Sequence, residues 1–376
     1  MDYKRPSVYN YFKLLTDHLG DENFPFFHED KFVWPRQLEI HLPGNHIIPC
    51  QLACSHCQGR LFKKDLDFWE IDVLELLNFL KGTIPFQIYG GAYTEPLINP
   101  YLMTFLHTTK KYGNHFGIHT NGILLNQLEE TQGWLTELNR ISTDKVDYLS
   151  ISLDAGFAKG WSKSKNTKNE YWFYEILEGI KKVSKLRRDN SHAIRICYLI
   201  TEYTSDLEDI LNIVDISKEF KVNSLRFSIP YGIYTKKFDK LSNYKEEIED
   251  IQHIKYSELL KNIVSKDDNE IPYIFYVSPD TTNVENYYFD KCIYGFFQIT
   301  IGADGYLYKC SSTAAPNALN HRLGKVTSNM QEFVNAILQN YDETWNCKIE
   351  CFEKGLRCNR MGIEVNQEYS RRSQQC

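Results

Sequence analysis

Between about residue 36 and residue 230, short β-rich segments alternate with helical ones, and this alternation constrains the fold more than any other feature. The strand candidates are RQLEIHL (36–42), PFQIYGG (85–91), HFGIHTNG (115–122), VDYLSISLDAG (146–156), AIRICYLIT (193–201) and SLRFSIP (224–230). Six strands separated by helices predict a parallel sheet in an α/β fold. Apolar spacing predicts one helix from Ile71, Leu74, Leu77 and Phe79 to Leu80, and another from Ile176, Ile180 and Val183. Ser205 and Glu208 form a capping-box pattern ahead of Ile210, Ile213 and Val214.

After about residue 286 the texture changes. CIYGFFQITIGADGYLYKC predicts a hairpin that turns at Ala303, Asp304 and Gly305, and a cysteine-rich, loop-rich end follows. Residues 233–270, rich in Lys, Glu and Asp, are expected to supply a solvated helix and a connection. At 376 residues the chain suits one large domain with a smaller appendage. The expected division is an N-terminal extension (1–35), a barrel-type domain (36–285) and a small C-terminal module (286–376).

Cys50, Cys54 and Cys57 follow the first strand candidate with the spacing Cys-x3-Cys-x2-Cys. In parallel α/β sheets and barrels, the loops at the carboxyl ends of the strands face one shared mouth, so a metal held here would sit there. Three thiolates so closely spaced can hold three irons of a [4Fe–4S] cubane and leave the fourth without a protein ligand. Structural zinc is the competing reading. It prefers four ligands in paired knuckles; His56 completes a Cys3His set on paper, but Ser55 and Cys57 restrict its turning back onto the same metal.

Charged residues make up 24% of the chain and the net charge is −6, which disfavours nucleic acid and anionic membrane as partners. The N-terminus lacks a signal-peptide pattern, and no apolar run approaches membrane-spanning length. The expectation is a soluble, cytoplasmic protein in which ten cysteines stay reduced and serve metal ligation.

The cysteine triad, the six-fold alternation and the order of glycine and acidic motifs together resemble the radical S-adenosylmethionine (SAM) superfamily over roughly residues 36–230. The resemblance implies a partial (β/α)6 TIM-like barrel in which Cys50, Cys54 and Cys57 carry a [4Fe–4S] cluster. It further implies that SAM chelates the open iron, is reductively cleaved to a 5′-deoxyadenosyl radical, and that the radical takes hydrogen from an unactivated C–H bond. In YGGAYTEPL, Gly90 and Gly91 match the segment that meets the methionine end, and Glu95 is the acidic candidate for the SAM ammonium. The family usually places that acid directly after the glycines, whereas Ala92, Tyr93 and Thr94 intervene here. In SISLDAG, Ser152 matches the ribose position. Period two puts Ser150, Ser152 and Asp154 on one face, where a solvated strand face is the alternative. Arg195 is the candidate for the SAM carboxylate and Leu199 for the adenine wall. HTNG (119–122) marks a strand end or a plain turn.

Cys292-x12-Gly305-x4-Cys310, then Cys347-x3-Cys351-x6-Cys358 and Cys376, resembles the SPASM/twitch extension of these enzymes. Two gaps are one residue longer than in that pattern, and Gly362 stands where a further cysteine is due. The resemblance implies at least one auxiliary [4Fe–4S] cluster held by Cys292, Cys310 and two of Cys347, Cys351 and Cys358. Two incompletely ligated clusters, with Cys376 serving the second, or a zinc ribbon remain open. Cys197, sharing a face with Arg195, is a hydrogen-donor candidate or a plain core cysteine. The expected function is modification of a peptide, supported by a flavodoxin or ferredoxin as reductant. Dehydrogenation or epimerisation of a carbohydrate, cyclitol or other small molecule is the alternative, and a non-catalytic Fe–S or zinc scaffold is the alternative of another class.

Overall fold

The computed structural model describes residues 11–19, 34–45, 47–54, 57, 69–91, 93–228, 271–277, 292–311, 313–314, 321–344, 365–366 and 369–371. A short helix, α1 (Tyr11–Leu19), precedes strand β1 (Gln37–Ile40). Then follow α2 (Glu70–Leu80), β2 (Phe86–Tyr89), α3 (Leu102–Lys111), β3 (His115–Thr120), α4 (Leu125–Gln132), α5 (Trp134–Ile141) and β4 (Tyr148–Ser152). The chain continues through α6 (Ala158–Ser164), α7 (Tyr171–Leu186), β5 (Ala193–Leu199), α8 (Leu207–Glu219), β6 (Ser224–Ser228) and β7 (Tyr273–Val277). The C-terminal part holds α9 (Tyr294–Phe297), β8 (Gln298–Ile301), β9 (Tyr306–Tyr308), β10 (Arg322–Lys325) and α10 (Met330–Thr344).

All six expected strands form, pair in parallel and keep chain order from β1 to β6. The result is a partial α/β barrel whose sheet stays open. Alternation explains its two faces. Leu38, Ile40, Phe116, Ile118, Leu149, Ile151, Ile194, Ile196, Leu225 and Phe227 are fully buried beneath the helices, each worth about 1.5–3 kcal/mol of apolar burial. The residues between them, among them Glu39, His119, Ser150, Arg195, Cys197 and Arg226, line the concave face. A parallel sheet buried on both sides tolerates polar residues only where they find partners or line a site.

Sequence and structure differ in three places. A seventh parallel strand, β7, pairs with β6; its YIFYV run has the aromatic and apolar character of a strand. Residues 233–270 lie outside the described residues. In α2 the buried face is Glu70, Val73, Leu76, Leu77 and Leu80, while Ile71 and Phe79 are exposed. Trp69 sets that face, because it packs against the C-terminal hairpin. The capping box at Ser205 and Glu208 does not form: the N-cap of α8 is Asp206 and it makes no side-chain capping bond. Ile210, Ile213 and Val214 are buried as expected.

The predicted hairpin forms between β8 and β9, with Gly305 at φ 74° and its N–H donating to the Gly302 carbonyl. Its first strand pairs in parallel with β1, so one sheet runs from β10 to β7. The turn also docks on α2: the Trp69 indole N–H donates to the Ala303 carbonyl at 3.0 Å. A Cβ at Gly305 would lie 2.8 Å from that indole, so glycine serves both the turn and the contact. No helix among the described residues is long and apolar enough to cross a membrane.

Candidate metal and cofactor site

The cysteine loop leaves the carboxyl end of β1 and is held from three sides. Asn45 makes an Asx turn with the Ile47 and Ile48 N–H groups. The Pro49 carbonyl accepts from the Glu95 N–H at 2.8 Å, and the Ala53 carbonyl accepts from the Asn166 side chain at 3.2 Å. Asn121, at the end of β3, donates to Cys50 Sγ at 3.6 Å and to Gln51 Oε1 at 3.3 Å. The Leu52 N–H also points at Cys50 Sγ, 3.4 Å away.

Cys54 is buried, and Cys50 and Cys57 are half-buried. Burial first, then the nearby Glu95 charge, pushes the Cys50 thiol up to about 12; burial pushes Cys54 up to about 11 against the pull of Lys165. Thiols so placed ionise only when a cation compensates them, which is what metal ligation supplies. The donor set therefore fits a metal cluster: three sulfurs on one short loop, N–H groups aimed at one of them, and a buried ammonium close by.

That ammonium is Lys165, just past α6. Burial works against its charge, while the Asp154 carboxylate and the Cys54 and Cys50 sulfurs hold its pKa above the usual lysine value. Lys165 bonds Asp154 Oδ2, and Asp154, at φ 58°, accepts the Leu199 N–H on its other oxygen at 2.9 Å. One aspartate thus links the ends of β4 and β5 to the cysteine loop.

The glycine segment lies against β3 and β1. Gly90 has φ 87°, and a Cβ there would fall 2.3 Å from the His119 carbonyl. A Cβ on Gly91 would fall 1.9 Å from His41 Nε2. Glu95 is almost completely buried, and both of its oxygens are engaged: Oε1 accepts from Thr120 Oγ1 at 2.6 Å and the Leu97 N–H at 3.0 Å, and Oε2 accepts from the Asn121 N–H at 2.7 Å. Burial raises its pKa to about 7 in spite of these donors. HTNG is therefore more than a turn, because Thr120 and Asn121 join Glu95 to the cysteine loop.

Register brings Ser150 beside Arg195, and Ser152 beside Cys197. Ser152 and Leu199 are half-buried at the strand ends. Arg195 lies deeper, with its guanidinium 3.6 Å from the centre of the Tyr148 ring; the Tyr148 hydroxyl is 2.8 Å from His119 Nε2. Burial and the charges of Arg226, Arg195 and His41 lower the His119 pKa to about 3. Cys197 is buried, 3.3 Å from Ser150 Oγ.

In the C-terminal part, Cys292 and Cys310 are half-buried against the main core, and Cys292 Sγ accepts from Asn366 Nδ2 at 3.3 Å. Cys347, Cys351, Cys358 and Cys376 lie outside the described residues. Sequence reasoning missed Lys165, Tyr148 and His41, because nothing in local spacing marks them, and it marked Asn121 only as part of HTNG. The amino end of the sheet carries a second group, His115, Asp144 and Asp147, with ligand atoms within 4.8 Å of one another. There the Lys110 ammonium, 2.9 Å from Asp147, already supplies the positive charge.

A groove of about 630 Å³ opens at the rim beside Gln51 and is lined by Ile98, Ile123, Leu124, Tyr171 and Trp172 among others.

Residues 45–214 match the family model described as "Radical SAM superfamily". Among solved structures, the chain is similar to Streptococcus suis SuiB (TM-score 0.61, 15% identity, 92% of this chain and 73% of that one). SuiB bound to the precursor peptide SuiA gives a TM-score of 0.61 at 15% identity, covering 93% and 74%. The structure of anSMEcpe with bound AdoMet gives 0.55 at 15% identity, covering 88% and 85%. At such identities the likeness is one of fold. No curated protein matches the sequence.

Proposed function

We propose that the chain, whose residues 45–214 match the radical SAM family model, is a radical SAM enzyme that modifies an unactivated C–H position in a peptide. The observation that carries this reading is the groove beside Gln51, the residue next to Cys50. It is open and of a size for several side chains, it sets Ile98, Ile123, Leu124, Tyr171 and Trp172 beside polar groups such as Asn126, Glu130 and Glu175, and it leads along α4 and α7 away from the cysteine loop. The similarity to SuiB, which has been solved with a precursor peptide, supports the same reading.

A [4Fe–4S] cluster with SAM on its open iron supplies, when bound, a 5′-deoxyadenosyl radical. In this reading the chain's own groups do the rest. Cys50, Cys54 and Cys57 hold the cluster, and Asn121 and the Leu52 N–H steady Cys50. Gly90 and Gly91 give main-chain access to the methionine end. Glu95 fixes the β3 end with both oxygens and reaches the SAM ammonium only through a remaining lone pair. Ser152 meets the ribose, Leu199 the adenine, and Arg195 the carboxylate, for which its guanidinium has to rise from the Tyr148 ring. Cys292 and Cys310, with two of Cys347, Cys351 and Cys358, hold one auxiliary cluster, and a flavodoxin or ferredoxin delivers the electron.

Anaerobic reconstitution followed by dithionite and SAM is expected to yield 5′-deoxyadenosine; no product would end the assignment of Cys50, Cys54 and Cys57. Replacing all three by Ala is expected to leave about four irons per chain, as one auxiliary cluster requires. For the substrate, a short peptide encoded beside this gene is the probe. A mass change in it, with its deuterium appearing in 5′-deoxyadenosine, is expected; an unaltered peptide and unlabelled product would exclude the peptide reading.

A further inference from the structure

The concave face of β1 carries Gln37, Glu39 and His41, all buried, and these residues form a hydrogen-bonded row with the C-terminal part of the chain. Gln298, the first residue of β8, is its centre. Its Oε1 accepts from the Gln37 side chain and from the Tyr294 hydroxyl at 3.1 Å. Its Nε2 donates to Glu39 Oε2 at 2.5 Å. The other Glu39 oxygen lies 2.6 Å from His41 Nε2. With Gln298 and Glu39 oriented in this way, Nε2 of His41 is the donor and its ring plane is set.

The His41 ring is wholly buried and lies directly under Gly91, where it leaves no room even for a methyl group. The main chain reinforces the arrangement: the His41 N–H donates to the Ile301 carbonyl at 2.9 Å, and the Gly90 N–H donates to the Ile40 carbonyl at 3.0 Å. Both the ring and the backbone of His41 are therefore referred to β8, and Gly91 rests on that ring.

We propose that His41 is a positioning residue for the SAM loop, and that Gln298, acting through Glu39, makes the C-terminal hairpin part of the SAM site. The inference rests on the reading that Gly90 and Gly91 meet the methionine end of SAM. A hydrogen bond across a buried network is directional, so losing one member lets the ring turn and the loop above it shift. A purely structural row would instead cost stability and leave SAM affinity alone.

The test uses the reconstituted full-length protein, with SAM affinity by equilibrium dialysis and the EPR spectrum of the reduced cluster with and without SAM. H41L and Q298L are expected to weaken SAM binding by about tenfold, equivalent to about 1.4 kcal/mol. They should also blunt the SAM-induced change in the EPR spectrum, while iron content and the SAM-free spectrum stay as in wild type. H41Q, which returns a side-chain donor toward Glu39, is expected to recover part of the affinity. G91A is expected to lose binding altogether. If Leu at position 298 lowers iron content, Q298N takes its place. Wild-type affinity in H41L and in Q298L or its substitute, with loss in G91A, would overturn the positioning role and leave the SAM loop where it is. Wild-type affinity in G91A would overturn the loop assignment, and the proposal with it.

Discussion

Two carboxylates buried at opposite ends of the same sheet behave in opposite ways. Asp147, at the amino end, is opposed by burial, yet His115, the Lys110 ammonium and the Phe116 N–H hold its pKa below the ordinary aspartate value. Glu95, at the carboxyl end, accepts three hydrogen bonds, but all come from neutral donors, and burial carries it up to about 7. Each is nearly inaccessible to water. A paired cation separates them, and it marks where the fold stores stability and where it keeps charge uncompensated for a ligand.

The largest effect that sharpens this contrast is expected from Asp147→Ala. It strands Lys110 and the Phe116 N–H, and should cost about 3 kcal/mol or more in denaturant unfolding, with SAM cleavage per folded molecule unchanged. Reduced cleavage at full folding would break the division between the ends. Glu95→Gln is expected to do the reverse: SAM affinity falls about tenfold or more, while stability drops by only about 1–2 kcal/mol.

The pH dependence of apo-protein stability gives a second comparison. His192, buried near the amino end, is lowered to about 4 from 6.5, by burial first and then by Arg187. The unfolded state then binds the extra proton, so this contribution is present above pH 6.5 and is lost as pH falls toward 4. Glu95 has the opposite sign: the folded state holds the proton, and its contribution is lost as pH rises from 4.5 toward 7. Urea titrations should show a flatter acid limb in His192→Gln and a flatter fall above pH 4.5 in Glu95→Gln; equal slopes in both variants and wild type would remove the contrast. Ser152→Ala is the smallest change, expected to weaken SAM binding by about 0.5–1.5 kcal/mol without shifting the melting temperature.

Much of this architecture is legible along the chain. The six strands announce themselves through runs such as AIRICYL and YLSIS, and the cysteine triad through its spacing. Where local pattern failed, a distant partner had overridden it. Ile71 and Phe79 look like core residues, but Trp69 turns α2 toward the hairpin and leaves them in water. Lys165 sits in a Ser- and Asn-rich helix end and acquires meaning only beside Asp154 and Cys54. His41 is one histidine in a strand end until Gln298 and Gly91 close around it. The hairpin was predicted from its turn, but its pairing with β1 leaves no periodic trace in either segment.

That pairing also orders events during synthesis. Gln37 and Gln298 are 261 residues apart, and closing a contact of that span comes late, after shorter-range pairs have formed. The strand that carries the cysteine loop therefore acquires its second neighbour only after the hairpin has left the ribosome. In the proposed reading, iron and sulfide reach Cys50, Cys54 and Cys57 on the finished polypeptide, and a chain truncated before residue 298 presents its thiols on a half-supported strand.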